Sequence, residues 1–143
     1  MNSPIVLSDL FNSNAPLINR DRLWQSLMDL AQLGATAKGG VCRLALTDLD
    51  RQARDLFVRW CEEAGCTVTV DGIGNIFARR AGRQPDLPPV MTGSHIDTQP
   101  TGGKFDGCYG VMAGLEVIRT LNDLQLTTEA PIEVVVWTNE EGS

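Results

Sequence analysis

Hydrophobic residues recur at helical spacing in the first half of the chain and gather into short runs in the second. Leu23, Leu27 and Leu30, flanked by Trp24, Met28 and Ala31, predict a helix capped by Asn19 and ended by Gly34. Ala35 to Leu46 has no sustained period and reads as loop. Leu49, Ala53, Leu56, Phe57, Trp60 and Ala64 line one face of a second predicted helix. Thr47 and Asp50 occupy the places of a capping box at its start, and Gly65 supplies a left-handed residue at its end. Alternation then replaces the helical period. Cys66 to Val70 and Ile76 to Arg80 read as strands joined by the turn chemistry of Asp71-Gly72-Ile73-Gly74-Asn75, which predicts a hairpin. After the polar, proline-rich connection Gly82 to Pro89, a run ending at His95 reads as a buried strand. A Gly- and Pro-rich loop follows, then a helix from Val111 to Leu124 and a second buried strand from Ile132 to Thr138.

Strand, crossover helix and strand form a βαβ unit, so its two strands run parallel and their carboxyl ends are neighbours. With the hairpin and the earlier helices, this predicts a three-layer α/β domain around a mostly parallel sheet. Ile132 to Thr138 is expected inside that sheet and, without later partners, to expose an unpaired apolar edge. Residues 1–18 are punctuated by Pro4, Asn12, Asn14 and Pro16 and read as an arm, leaving 19–143 as one domain. A chain of 143 residues with 43% hydrophobic content has material for one sizeable core.

The net charge of −6 and the absence of any basic run argue against nucleic-acid or anionic-membrane partners. No apolar stretch approaches the roughly 20 residues of a membrane span, and the N-terminus lacks the layout of a secretory signal. A cytoplasmic protein is expected. Cys42, Cys61, Cys66 and Cys108 lack paired C-x-x-C spacing and are expected to be reduced and structural.

Chemistry concentrates at the ends of the two buried strands. His95 is the single histidine, Asp97 lies two residues on, Asp106 sits among Gly102, Gly103, Gly107 and Gly110, and Glu140 and Glu141 follow the last strand. Each residue alone has an ordinary explanation as a core histidine, a turn former or a solvated strand end. Their convergence, forced by the crossover, favours a metal site. If the extended geometry continues, Asp97 shares a face with His95 and accepts its second N–H, fixing which nitrogen faces a metal. Asp106 is placed to bridge two ions about 3.5–4 Å apart. Adjacent glutamates cannot point the same way, which suits one as ligand and the other as general base. Two rival readings are a phosphate cradle at Thr101-Gly102-Gly103-Lys104 and a serine hydrolase using Ser94. Neither has its motif: G-x-x-x-x-G-K-[ST], G-x-G-x-x-G and G-x-S-x-G are all missing.

Three ordered motifs, Gly93-Ser94-His95-Ile96-Asp97-Thr98, Gly102-Gly103-Lys104-Phe105-Asp106-Gly107 and Trp137-Thr138-Asn139-Glu140-Glu141-Gly142-Ser143, resemble the amidase, hydantoinase and carbamoylase family of metal-dependent amidohydrolases. That family lies within the clan of di-metal aminoacylases and carboxypeptidases. The likeness runs from about Asn19 onward and includes Gly40-Val41-Cys42-Arg43-Leu44 and Asp71-Gly72-Ile73-Gly74-Asn75. It implies a di-zinc exopeptidase-like catalytic domain binding two divalent ions, zinc or manganese. His95 would be a ligand of one ion, Asp106 the bridge and Glu141 a ligand of the other, with Glu140 as general base and Asp97 supporting His95. The implied reaction is hydrolysis of a linear C–N bond in N-carbamoyl amino acids or related ureides. Members of the family carry two further histidine ligands and a lid and dimerisation domain beyond the Glu-Glu motif, and pair as homodimers. The chain is therefore expected to be the amino-terminal portion of such an enzyme and inactive by itself.

Overall fold

The computed structural model describes residues 18–143, so all but the last residue of the predicted arm lies outside the described residues. The elements in order are α1 (Arg20–Gln32), α2 (Asp48–Glu63), β1 (Thr67–Val70), β2 (Ile76–Arg80), β3 (Val90–His95), α3 (Cys108–Asp123) and β4 (Ile132–Trp137).

The predicted helix ends are formed by the residues named for them. Asn19 Oδ1 accepts the Arg22 N–H at 3.0 Å, satisfying one of the free donors of the first turn. Thr47 Oγ1 accepts the Asp50 N–H at 3.3 Å. The reciprocal bond of the box reaches one residue further back, from the Leu46 N–H to Asp50 Oδ2 at 3.0 Å. At the other end of α2, Gly65 N–H bonds Glu62 O and Cys66 N–H bonds Cys61 O, both at 2.9 Å. That pair of bonds is a Schellman close.

The four strands lie in the order β1-β2-β4-β3. β3 and β4 are parallel, with His95 level with Trp137, as the crossover demands. The other two pairs, β1 with β2 and β2 with β4, are antiparallel. The α/β class holds, but among the described residues the sheet is mixed and not mostly parallel, because a five-residue turn reverses the chain between β1 and β2. β4 is interior, as expected. The predicted open edge, however, is not on β4, which has partners on both sides. Among the described residues the edges are β1 and β3, and on β3 Val90 and Met91 are exposed.

All three helices cover one face of the sheet. Ile76, Ala78, Val134 and Val136 form one core with Leu27 and Leu30 of α1, Phe57 and Cys61 of α2, and Val111, Met112, Leu115 and Ile118 of α3. Full burial of side chains of this size contributes about 1.5–3 kcal/mol each. Phe77 and Trp137 meet edge to face on the opposite side, ring centroids 6.1 Å apart. The described residues therefore form two of the three expected layers.

α3 lies unusually close to the sheet. A Cβ on Gly114 would sit 3.0 Å from Thr92 Cγ2 and Val134 Cγ1, and one on Gly110 would sit 3.1 Å from Ser94 Cβ. This approach sets the start of α3 beside the end of β3. The buried carboxylate of Glu116 fixes α1 alongside by accepting from Arg22 Nε at 2.9 Å, Arg22 Nη2 at 2.7 Å and Asn19 N–H at 3.1 Å. Among the described residues no helix is long and apolar enough to cross a membrane.

Candidate functional site

His95 ends β3 with its ring buried, 5% exposed. Its Nδ1 lies 2.9 Å from the backbone carbonyl of Asp97. A carbonyl only accepts, so Nδ1 donates and Nε2 is the nitrogen that faces the loop and turn opposite, carrying the lone pair in the neutral ring. The anticipated partner is therefore the right residue through a different atom. The Asp97 carboxylate stands 3.6 Å from Nδ1 and instead accepts the N–H groups of Glu140 at 3.4 Å and Glu141 at 3.2 Å. Asp97 thus joins the two halves of the site, orienting the imidazole by its main chain and the Glu-Glu turn by its side chain.

Asp106 comes to the imidazole through a tight reversal at Gly107. Gly107 has φ 65° and ψ −51°, and Cys108 N–H bonds Asp106 O at 2.6 Å. That is a γ-turn of the rare positive-φ kind. It starts α3 at Cys108, a turn before the predicted Val111, and brings Asp106 Oδ1 to 3.9 Å from His95 Nε2. A carboxylate at this point leaves no room for a phosphate cradle, since its charge occupies the mouth of the helix. Ser94, the nucleophile of the other rival reading, points to the α3 side against Gly110 and makes no hydrogen bond to His95 among the described residues.

The glutamates arrive from β4 on a turn at Asn139, which has φ 55°. Glu140 Oε2 lies 3.4 Å from His95 Nε2. Glu141 belongs with His95 and Asp106 to a set whose donor atoms all lie within 4.8 Å of one another. Glu140 thus lies against the imidazole edge, while Glu141 joins His95 and Asp106 and is bonded by Gln99. Gln99 Nε2 donates to Glu141 Oε2 at 2.9 Å. One imidazole nitrogen with carboxylate oxygens is a donor set that suits zinc or manganese. His95, Asp106 and Glu141 are the residues that fit a divalent ion.

Sequence reasoning missed three supports. Arg43 is 1% exposed and donates to Ile96 O at 2.8 Å, Leu30 O at 3.0 Å, Leu33 O at 2.5 Å and Cys108 Sγ at 3.3 Å. It closes the carbonyl end of α1 and ties it to the segment that leaves His95. Gln99 is the second. Third, Asn75 in the hairpin turn accepts the Thr138 N–H at 2.9 Å, two residues before Glu140. Arg43 and Asn75 stood inside motifs that carried the family resemblance, which was the available signal. All four cysteines are free, and burial raises the thiols of Cys61, Cys66 and Cys108 above their ordinary range.

Residues 91–143 match the model of Peptidase family M20/M25/M40. The chain is 56% identical over 126 residues to an N-carbamoyl-L-amino-acid amidohydrolase of Rhizobium meliloti, covering 88% of this chain and 30% of that protein. It is 46% identical over 127 residues to an N-carbamoyl-L-amino acid amidohydrolase of Geobacillus stearothermophilus, covering 89% and 31%. A crystal structure of an amidase of the hydantoinase/carbamoylase family from Burkholderia multivorans superposes with a TM-score of 0.88 at 70% identity, covering 88% of this chain and 31% of that one. The chain thus spans about 30% of the length of the relatives it matches. Within that span the motifs, the fold and the identities agree, and the chain resembles, over about 30% of their length, proteins of the amidase, hydantoinase and carbamoylase family.

Proposed function

We propose that the protein hydrolyses the linear C–N bond of N-carbamoyl amino acids or related ureides, and that these residues supply one histidine and the acidic half of its metal centre. The observation that carries this reading is the convergence of His95, Asp106 and Glu141 donor atoms within 4.8 Å at the carboxyl ends of two parallel strands. His95, Asp106 and Glu141 are the residues that would hold the divalent ions. When bound, the ions supply Lewis acidity toward the ureido carbonyl and ease deprotonation of water.

The chain's own residues do the rest. Asp97 keeps the Nε2 lone pair of His95 directed at the cluster. Glu140 is the general base: it is half exposed, its Oε2 reaches the imidazole edge at 3.4 Å, and it shares a turn with a ligand. It takes a proton from the attacking water and returns it to the leaving nitrogen, so one carboxyl serves both half-reactions. A catalytic zinc ordinarily takes three protein ligands, and these 143 residues contain one histidine. The reading therefore assigns turnover to a protein that adds further ligands to this set, and weak metal binding to these residues alone.

Calorimetric titration of the 143-residue chain with zinc or manganese tests the metal site, with His95→Ala and Asp106→Ala as controls. Binding by the wild type that both substitutions abolish is expected; no binding, or binding indifferent to both, overturns the ligand set. Ammonia release from N-carbamoyl-L-amino acids by an enzyme of full family length carrying these residues tests the reaction. Turnover lost to a chelator and restored by either metal is expected.

A further inference from the structure

We propose that Asn75, through Asp71, is a positioning residue for the Glu140-Glu141 pair, so that the β1–β2 hairpin turn helps build the active site. The inference rests on the reading of Glu141 as a metal ligand and Glu140 as base. The hairpin turn is a closed lattice. Asp71 Oδ1 accepts the N–H groups of Ile73 at 3.1 Å and Asn75 at 2.9 Å, and Asp71 Oδ2 accepts from Asn75 Nδ2 at 2.9 Å. With a side-chain N–H and its backbone N–H both held by Asp71, Asn75 turns Oδ1 outward to the Thr138 N–H at 2.9 Å.

Thr138 is the residue at which β4 stops pairing and the chain begins the turn to the glutamates. Asn75 is 8% exposed, so its amide is shielded from water that would compete for that N–H. Arg54 of α2 reinforces the junction, donating from Nη1 to Thr138 Oγ1 at 3.1 Å and from Nη2 to the Gly74 carbonyl. On the far side of the same turn the Asp97 carboxylate takes the Glu140 and Glu141 N–H groups. The four-residue segment Thr138–Glu141 is therefore held at both ends by side chains from outside it. Asp97 comes from the segment that leaves β3 just past His95, and Asn75 comes from the β1–β2 hairpin turn. Loss of the hairpin anchor frees the first peptide of the turn while the second anchor persists, which shifts the carboxylates without unfolding the sheet.

A donor–acceptor exchange separates positioning from mere folding. Asn75→Asp keeps an acceptor for Thr138 but sets two carboxylates against each other, and Asp71→Asn alone sets two amides together. The double variant Asp71→Asn, Asn75→Asp restores every bond, with donor and acceptor exchanged in the side-chain pair and the backbone N–H groups donating as before. The experiment measures zinc affinity of the 143-residue chain by titration, and backbone amide shifts and exchange of Thr138, Glu140 and Glu141 by NMR. Asn75→Ala and Asn75→Asp are expected to lose about tenfold or more in zinc affinity, the range typical of partners that orient ligands. They should also expose the Thr138 amide to exchange, and the double variant should recover affinity to within about twofold. Equal zinc affinity in wild type and Asn75→Ala, or no recovery in the double variant, overturns the inference. Should wild type bind no zinc, the metal reading falls and the amides decide alone: unmoved Glu140 and Glu141 signals in Asn75→Ala overturn the positioning role, and displaced signals restored by the exchange support it.

Discussion

The imidazole of His95 rests directly on the backbone of Gly107: a Cβ at that position would lie 2.5 Å from its Cε1, its Nε2 and its carbonyl oxygen. Ring and turn therefore fix one another. The γ-turn exists only because residue 107 lacks a side chain, and the turn is what presents Asp106 to Nε2. Gly107→Ala is expected to lower stability by about 1–2 kcal/mol from the positive φ alone, with an added cost for the displaced ring. Zinc affinity should fall by about tenfold or more. Thermal unfolding and metal titration of the variant check both parts, and unchanged affinity would mean that the ring is not held by this contact.

The two glutamates are expected to separate when each is changed to Gln in an enzyme of full family length. Glu140→Gln should retain metal and lose about 10²–10⁴-fold in kcat, the typical contribution of acid–base catalysis. Glu141→Gln should weaken one ion, because an amide oxygen is a poorer donor than a carboxylate, and excess metal should partly restore its rate. Metal content and kcat of the two variants together decide the assignment. A Glu140→Gln enzyme that loses metal beside a Glu141→Gln enzyme that keeps it would reverse the roles.

Arg43 is expected to resist even its closest substitute. Its fork reaches three carbonyls and a thiol on three separate segments, and the single ammonium of lysine cannot span them. Arg43→Lys should lower stability by about 2–4 kcal/mol, the range for buried hydrogen bonds broken from a charged group. The shift of the urea midpoint measures it, and a shift under about 0.5 kcal/mol would show that the pocket is not organised by the guanidinium.

The hairpin turn should carry an acid-side dependence. Burial works against the Asp71 charge, but hydrogen bonds from the Asn75 side chain and from the N–H groups of Asn75, Ile73 and Gly74 outweigh it and hold the carboxyl below its ordinary range. A depressed folded value means that the ionised carboxylate stabilises the turn fully above the ordinary aspartate value of about 3.9 and ceases to do so as pH falls through the lower folded value. The stability difference between wild type and Asp71→Asn is therefore expected to be constant above about pH 5 and to narrow below about pH 3.9. Denaturation midpoints of both proteins across pH 2.5–6 provide the measurement.

Much of this architecture was legible because the relevant signals are local. The helix caps at Asn19, Thr47 and Gly65, the hairpin around Asp71–Asn75 and the parallel relation of β3 and β4 follow from residue chemistry and from the length of a crossover. The cluster of His95, Asp106 and Glu141 was legible for the same reason, since each lies at or just past a predictable boundary. What escaped was set by single dihedrals and long-range bonds. Neither Asn139 nor Gly107 announces the positive φ that brings Glu140 and Glu141 back to the His95 side or draws Asp106 inward. The Asp97 side chain could not be assigned to the Glu-Glu backbone before the turn was known. The mixed pairing depends on which strand lies beside β2, and nothing in the periodicity of Ile132–Trp137 chooses that neighbour.

The order β1-β2-β4-β3 places the last strand in the chain between two that precede it. During synthesis the hairpin can close on itself, since Val68 and Ala78 are partners only ten residues apart, but β2 and β3 have no common neighbour until Ile132–Trp137 emerges. Assembly of the sheet thus waits on contacts more than fifty residues apart, such as Ile76 with Val136, and pairing over such separations is slow. The same late step delivers Glu140 and Glu141 to His95. A nascent chain arrested before Trp137 therefore has His95 and Asp106 but neither glutamate and no joined sheet, so the three clustered side chains first meet at the step that joins β2 to β3.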